Sequence, residues 1–253
     1  MPLADKATRA ASFGAVADVY DRGRPGYPAA AIEWLLGPDP LEVLDLGAGT
    51  GKLTAALLAA GHTVTALEPL EEMREILTAK LPQVTAIDGR AEELPLADSS
   101  VDAVVAGSAF HWFDREPALD EIARVLRPPG VFGLLGNRFD TSVDWQRRLR
   151  GSGAGVGGWI YRRGHWPSPE ELRERFAEVA DAPAFVQPIE VDRAAVKDYL
   201  ASTSRVSTLG PEGRAAYLSR VDRVWDASPE LQGRVRAELV WRTVVRRGRG
   251  SLR

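Results

Sequence analysis

Residues 43–54 read VLDLGAGTGKLT: an apolar run ending in an aspartate, then glycine at every second position from 47 to 51. A short Val/Leu strand closed by a glycine turn, opening a helix through Leu53, Leu57 and Leu58, is the first half of a parallel strand–helix–strand unit. The rhythm continues downstream. TVTALE at 63–68 reads as a second strand, followed by a helical stripe of Met73, Ile76, Leu77 and Leu81. VTAIDG (84–89) and VDAVVAG (101–107) read as the third and fourth strands. A helix carrying Leu119, Ile122, Val125 and Leu126 leads into a fifth, VFGLLG (131–136). Strands this rich in Val, Leu and Ala, without polar alternation, are buried on both faces, and helical crossovers make their sheet parallel. The expected fold is α/β and doubly wound.

The chain has 253 residues, 45% of them hydrophobic, with a formal net charge of -3. That balance gives no reason to expect nucleic-acid or membrane partners. The absence of cysteine excludes disulfides, cysteine-ligated zinc and a thiolate nucleophile. The first residues, MPLADKATRAASF, lack an apolar signal region, and no stretch approaches the ~18 apolar residues of a membrane span. The expectation is a cytoplasmic protein. His62, His111 and His165 are too scattered to suggest a metal centre.

Beyond residue 138 the rhythm breaks. Residues 141–168 read as mostly irregular. SPEELRERFAEVADA (168–182) reads as one helix, with Ser168 and Glu171 spaced as a capping box. FVQPIEV (185–191) reads as a strand that Pro188 confines to an edge or bulge. Residues 192–236 read as helices, LVWRTVV (239–245) as a last strand, and RRGRGSLR (246–253) as a frayed tail.

The glycine turn must next be matched to a ligand. A dinucleotide fingerprint needs G-x-G-x-x-G, but Lys52 stands where the third glycine belongs, and no G-K-[ST] closes a P-loop. Asp45 at the mouth of the turn would repel phosphates and suits an ammonium or sulfonium group. Glu68, at the end of the second strand, is placed to accept hydrogen bonds from ribose hydroxyls. The residues ask for a phosphate-free nucleoside that is cationic near the turn.

VLDLGAGTG, ALEP, GRAEELPLADSSVDAVVAGSAFHWFD and EIARVLRPPGVF, in that order over about residues 41–136, together resemble the class I S-adenosylmethionine-dependent methyltransferases. FGAVADVYDRGRPGYP and FHWFD look more narrowly like the trans-aconitate-methyltransferase-like branch acting on small molecules. The resemblance implies a seven-stranded, mostly parallel sheet with an antiparallel last strand beside the fifth. It also implies S-adenosylmethionine as cofactor and S-adenosylhomocysteine as product. Asp45, Gly47, Ala48, Gly49 and Gly51 would wrap the methionine part; Glu68 and Pro69 would hold the ribose, with Leu70 beside the adenine. Family members often carry an acid where this chain has Arg90, so the adenine contact is expected from Ala91 and Glu92. Ser108 would lie beneath the sulfonium, and Tyr20 belongs to a segment that folds over the cofactor in the family.

His111 offers a substrate-side hydrogen bond or a general base; packing against Trp112, itself a candidate substrate contact, explains it equally well. Tyr20 completes a helical stripe with Phe13 and Val16, which packing also explains. Arg24 is the candidate carboxylate contact. Arg138, Arg147, Arg148, Arg150, Arg162 and Arg163 face only Asp140 and Asp144, a solvated surface or a cap attracting an anionic acceptor. GAGVGG (153–158) matches G-x-G-x-x-G literally but lacks the strand–turn–helix context, and reads as a loop. The expected organisation is one domain, with a core of 31–137, 169–191 and 237–247 and a cap of 1–30, 138–168 and 192–236. The expected activity is methylation of a small molecule, specifically O-methylation of a carboxylate; an amine or phenol would use His111. A non-catalytic binder of the cofactor and an NAD-linked oxidoreductase are the alternatives. Neither the acceptor nor the oligomeric state can be read from the residues.

Overall fold

Short apolar runs become strands and 3.6-residue stripes become helices in the computed structural model, which describes residues 12–150 and 166–251. In chain order the elements are α1 (Ala17–Gly23), α2 (Ala29–Leu36), β1 (Glu42–Leu46), α3 (Lys52–Ala59), β2 (Thr63–Leu67), α4 (Glu71–Lys80), β3 (Thr85–Ile87), β4 (Val101–Gly107) and α5 (Arg115–Val125). There follow β5 (Leu126–Phe139), α6 (Asp144–Arg150), α7 (Pro169–Arg173), β6 (Phe176–Asp181), β7 (Phe185–Asp192), α8 (Arg193–Ala201), α9 (Ser204–Ser207), α10 (Pro211–Ala227) and β8 (Arg236–Ser251). They fall into two units. One draws on the described residues of 26–137, 160–185 and 243–253, the other on those of 1–25, 138–159 and 186–242.

The first unit holds the sheet path, in the order β3-β2-β1-β4-β5-β8-β6. The pairs β1–β2, β1–β4, β2–β3 and β4–β5 are parallel, and β6 runs antiparallel to β8. Successive side chains of a strand point to opposite faces, and here both faces are apolar. Leu44, Leu46, Val104, Ala106, Phe132 and Leu134 pack with α5 on one side. Val43, Ala103, Val105, Val131 and Leu135 pack with α2 and α3 on the other. This is the α/β, doubly wound fold expected from the strand composition, with the mostly parallel seven-strand path that the resemblance implies.

The second unit is built around Phe139, Trp145, Tyr199, Trp225 and Trp241. Its helix α6 occupies a stretch expected to be irregular: Trp145 and Leu149, four apart, are buried on one face. The Gln146 side chain donates to the Val240 carbonyl and accepts from the Val240 N–H, both at 2.8 Å.

Two other expectations are corrected. Ser168 does cap a helix, its hydroxyl accepting from Glu171 N at 3.2 Å. That helix stops at Arg173, however, and Phe176–Asp181 pairs with residues 246–251 as β6. The supposed frayed tail is therefore the end of β8. Pro188 lies in a strand, β7, that pairs β8 off the main path; with one partner strand among the described residues, β7 keeps the open edge that a proline needs.

Candidate functional site

In an open α/β sheet the crevice outside the carboxyl ends of the strands, where strand order reverses, is the natural ligand site. The reversal here lies between β1 and β4. The turn leaving β1 holds Gly47, Gly49 and Gly51 at φ 64°, 57° and 84°, a left-handed region open to glycine at little cost. At Gly47 a β-carbon would also lie 2.7 Å from Ala109 Cβ. The turn leaving β4 thus packs directly on the turn leaving β1.

The turn's backbone donors are already used. Gly47 N and Ala48 N donate to Leu67 O (2.8 and 3.1 Å), and Gly51 N to Ala48 O (3.0 Å). Gly49 N donates to Glu68 Oε2 at 2.9 Å. A phosphate cradle needs such N–H groups directed at the ligand, so four donors are withdrawn from that role.

Glu68 closes the turn from the β2 side. Its second oxygen accepts from Leu70 N at 3.0 Å, and Arg74 donates to its main-chain carbonyl at 2.7 Å. Burial pushes the carboxyl pKa up, against the lowering effect of the two backbone hydrogen bonds. Each carboxylate oxygen accepts more than one hydrogen bond, so Glu68 can hold the turn and still receive ligand hydroxyls. Pro69 is exposed and Leu70 half-buried beside it.

Asp45 departs from its expected place at the mouth of the turn. It sits on the central strand, opposite Ala66 and Val105, and has no exposed surface. Thr54 of α3 donates to Oδ2 at 2.7 Å. Among the described residues Oδ1, and the buried Thr50 Oγ1, have no hydrogen-bond partner. Burial pushes the Asp45 pKa up to about 7; the Thr54 hydrogen bond opposes this and the nearby Glu68 charge adds to it.

The remaining expected cofactor contacts lie on loops beside the crevice. Ala91 is buried, and Glu92 accepts from Asp114 N at 2.6 Å. Arg124 of α5 pins this loop through Leu94 O and Leu96 O, at 3.0 and 2.8 Å. Arg90, the departure from the family pattern, lies 3.6 Å from Glu92. Ser108 follows β4 and donates its N–H to Leu135 O at 2.8 Å. His111 and Trp112 occupy a 3-10 turn over Phe110–Trp112. Phe110 anchors that turn against Phe113 and Phe132, ring centroids 5.5 and 5.8 Å away, and leaves His111 and Trp112 half-buried with centroids 4.5 Å apart.

Tyr20 and Arg24 belong to the other unit. Arg24 donates to Ser202 Oγ and O at 3.0 and 3.1 Å and lies 4.9 and 5.2 Å over the rings of Tyr20 and Tyr199. In the basic segment, Arg147 pairs with Asp144 and Arg148 with Glu230, each at 2.5 Å, and Asp140 with Arg242 at 2.8 Å. Arg162, Arg163 and residues 153–158 lie outside the described residues. Among the described residues no group of three His, Asp or Glu could hold a metal ion, and no helix is long and apolar enough to cross a membrane. The sequence reading missed Thr54, which donates to Asp45 from the first turn of α3, and the buried Thr50 of the glycine turn; two threonines on either side of Gly51, Lys52 and Leu53 were the available signal.

Residues 44–134 match the family described as a methyltransferase domain. The chain is similar to an uncharacterized methyltransferase of Mycobacterium tuberculosis, 52% identical over 138 residues, 54% of this chain and 57% of that protein. It is also similar to a malonyl-[acyl-carrier protein] O-methyltransferase of Methylococcus capsulatus, 41% identical over 138 residues, 49% of this chain and 50% of the other. The chain thus spans about half the length of the curated relatives it matches. The solved structure of a candidate type II methyltransferase from Anaeromyxobacter dehalogenans superimposes with a TM-score of 0.64 at 27% identity, covering 89% of this chain and 97% of that one.

Proposed function

We propose, from the premise that residues 44–134 are a class I S-adenosylmethionine-dependent methyltransferase domain, that the chain methylates a carboxylate oxygen of a small acceptor. The observation that carries the cofactor assignment is the closed turn: three left-handed glycines, their N–H groups turned inward, and two buried carboxylates, Asp45 and Glu68. The residues fit the group. Among the described residues the buried Asp45 Oδ1 and Thr50 Oγ1 have no hydrogen-bond partner, and an anionic wall without phosphate donors suits a cationic nucleoside. Glu68 would hold the ribose, and Ala91 and Glu92 the adenine edge.

S-adenosylmethionine supplies an electrophilic methyl group, so the protein's task is to position the acceptor and exclude water. A carboxylate acceptor is ionised at neutral pH and needs no base; His111 would serve as base only for a neutral acceptor. One observation favours the carboxylate: relatives that are malonyl-[acyl-carrier protein] O-methyltransferases.

Calorimetric titration with S-adenosylmethionine, S-adenosylhomocysteine and NAD tests the cofactor assignment. Micromolar binding of the first two, absent for NAD and weakened about tenfold or more in Glu68→Ala, is expected. Binding of NAD alone would overturn it. Turnover on a panel of small carboxylic acids separates an enzyme from a non-catalytic binder.

A further inference from the structure

We infer that Arg74 is a positioning residue for the cofactor's ribose: from α4 it fixes the main chain of Glu68 and supplies the positive charge that keeps the Glu68 carboxylate a strong acceptor, with Asp88 as the counterweight. The inference rests on the methyltransferase reading above and deepens the ribose end of that site.

Glu68 stands one residue beyond β2 and Asp88 one residue beyond β3, strands that run side by side with Leu67 opposite Ile87. The Glu68 N–H donates to Ile87 O at 3.1 Å, and its carbonyl accepts from Arg74 Nη1 at 2.7 Å. Its carboxylate oxygens accept from Gly49 N and Leu70 N, at 2.9 and 3.0 Å. The same Arg74 nitrogen lies 3.4 Å from Asp88 Oδ1. One guanidinium therefore bridges the ends of β2 and β3.

Helix α4 places it there. Arg74 N donates to Leu70 O at 3.0 Å in the first turn, and Met73 and Leu77 form the buried stripe. Arg74 lies at the edge of that stripe with a side chain only 19% exposed, whereas Glu71, Glu72 and Glu75 of the same helix are exposed. Arginine heads ordinarily stay in water; this one is turned onto the strand ends.

The charges around Glu68 act with opposed signs. Glu68 is 6% exposed, and burial pushes its carboxyl pKa up; the Leu70 and Gly49 N–H groups and the Arg74 charge hold it down, while the Asp88 charge adds to the rise. Asp45 on β1 is the other carboxylate coupled to it. Of these groups Arg74 alone is positive. A protonated carboxyl loses the charge that strengthens hydrogen bonds from ribose hydroxyls. Arg74→Gln should therefore raise the pH at which Glu68 takes up a proton. Asp88→Asn, at a side chain 71% exposed, should lower it.

The test uses the full chain, native and as Arg74→Gln, Arg74→Lys and Asp88→Asn. Carbon-13 NMR follows the Glu68 carboxyl through a pH titration, its resonance assigned with Glu68→Gln. Calorimetry at pH 7 measures S-adenosylhomocysteine and its 2′-deoxyribose analogue. The Glu68 midpoint is expected to rise in Arg74→Gln, to return toward native in Arg74→Lys and to fall in Asp88→Asn. The preference for S-adenosylhomocysteine over the deoxy analogue should shrink about fivefold or more in Arg74→Gln and survive in Asp88→Asn. An unmoved midpoint in Arg74→Gln, or shifts of one sign in Arg74→Gln and Asp88→Asn, overturns the inference. An equal loss of affinity for both ligands in Arg74→Gln, with a lower melting temperature, assigns the arginine to packing of α4 and also overturns it. Native binding without preference between the two ligands overturns it and leaves the methyltransferase reading standing. Failure of the native chain to bind S-adenosylhomocysteine overturns the reading itself, and the inference with it.

Discussion

At the residue scale, Asp45 gives the site a pH dependence whose sign can be worked out. Its pKa is about 7 in the folded chain, against an ordinary value near 3.9. Between about pH 4 and 7 the folded chain holds a proton that the unfolded chain has lost, so stability falls as pH rises through that window. Asp45→Asn keeps an acceptor for Thr54 and should flatten the dependence of melting temperature on pH, leaving the variant more stable than the native chain at pH 8. Cation binding runs the other way. The preference for S-adenosylmethionine over its neutral product should grow as pH passes 7 in the native chain and stay flat in Asp45→Asn, as calorimetry at pH 6 and 8 would show. Glycine substitutions separate conformation from contact. Gly61 has φ 90° and nothing within 4 Å of a built β-carbon, whereas Gly47 adds the 2.7 Å clash with Ala109. Gly61→Ala should cost about 1–2 kcal/mol for the left-handed conformation alone; Gly47→Ala should cost more and weaken S-adenosylhomocysteine binding, which Gly61→Ala leaves unchanged.

At the scale of elements, legibility followed the locality of the signal. The βα rhythm from β1 to β5 was readable because each strand is a continuous apolar run and each helix carries its own stripe. The pairing of β6 with β8 was not, because it joins Phe176 to Ser251 and Asp181 to Arg246, and strand preference depends on such neighbours. The arginine-rich end of β8 looked like a solvated tail. In the fold Arg246 makes a two-pronged contact with Asp181, at 2.6 and 2.7 Å, and Arg247 lies 4.7 Å over the Trp34 ring. An arginine stem covers apolar surface while its head stays polar, and hydropathy alone does not register that. The strand assignment predicts that Gly248→Val is destabilising by about 1–3 kcal/mol, because a β-carbon there would lie 2.7 Å from Phe176 Cγ. Urea unfolding measures it; a variant as stable as the native chain would mean the segment is the tail it resembles. The capping box, readable from Ser168 and Glu171, predicts a loss of about 1 kcal/mol in Ser168→Ala.

At the scale of the molecule, the site residues named from sequence divide between the units. Asp45 through Trp112 lie in the unit holding the sheet path, and Tyr20 and Arg24 in the other. The second unit draws on three separated stretches, and its core of Phe139, Trp145, Tyr199, Trp225 and Trp241 has no period that a reader of one stretch could detect. Arg24 shows the consequence. Between turn residues it looked like a ligand contact, yet its guanidinium donates twice to Ser202 and stacks on two tyrosines, one of them, Tyr199, buried in that core. Two hydrogen bonds from a charged group and two ring contacts are together worth a few kcal/mol, enough to account for the residue without a substrate. Arg24→Ala should therefore lower the melting temperature while leaving S-adenosylhomocysteine and malonate affinities within about twofold, a change well below that of a lost charged hydrogen bond. Amide exchange provides the independent check. Ligand protection should fall on residues 45–51, 67–70, 88–94 and 107–113, and the variant should open α1 and α8, which contribute Tyr20 and Tyr199 to the stack. Loss of malonate affinity at unchanged melting temperature would return Arg24 to the role its sequence context suggested, as a carboxylate contact.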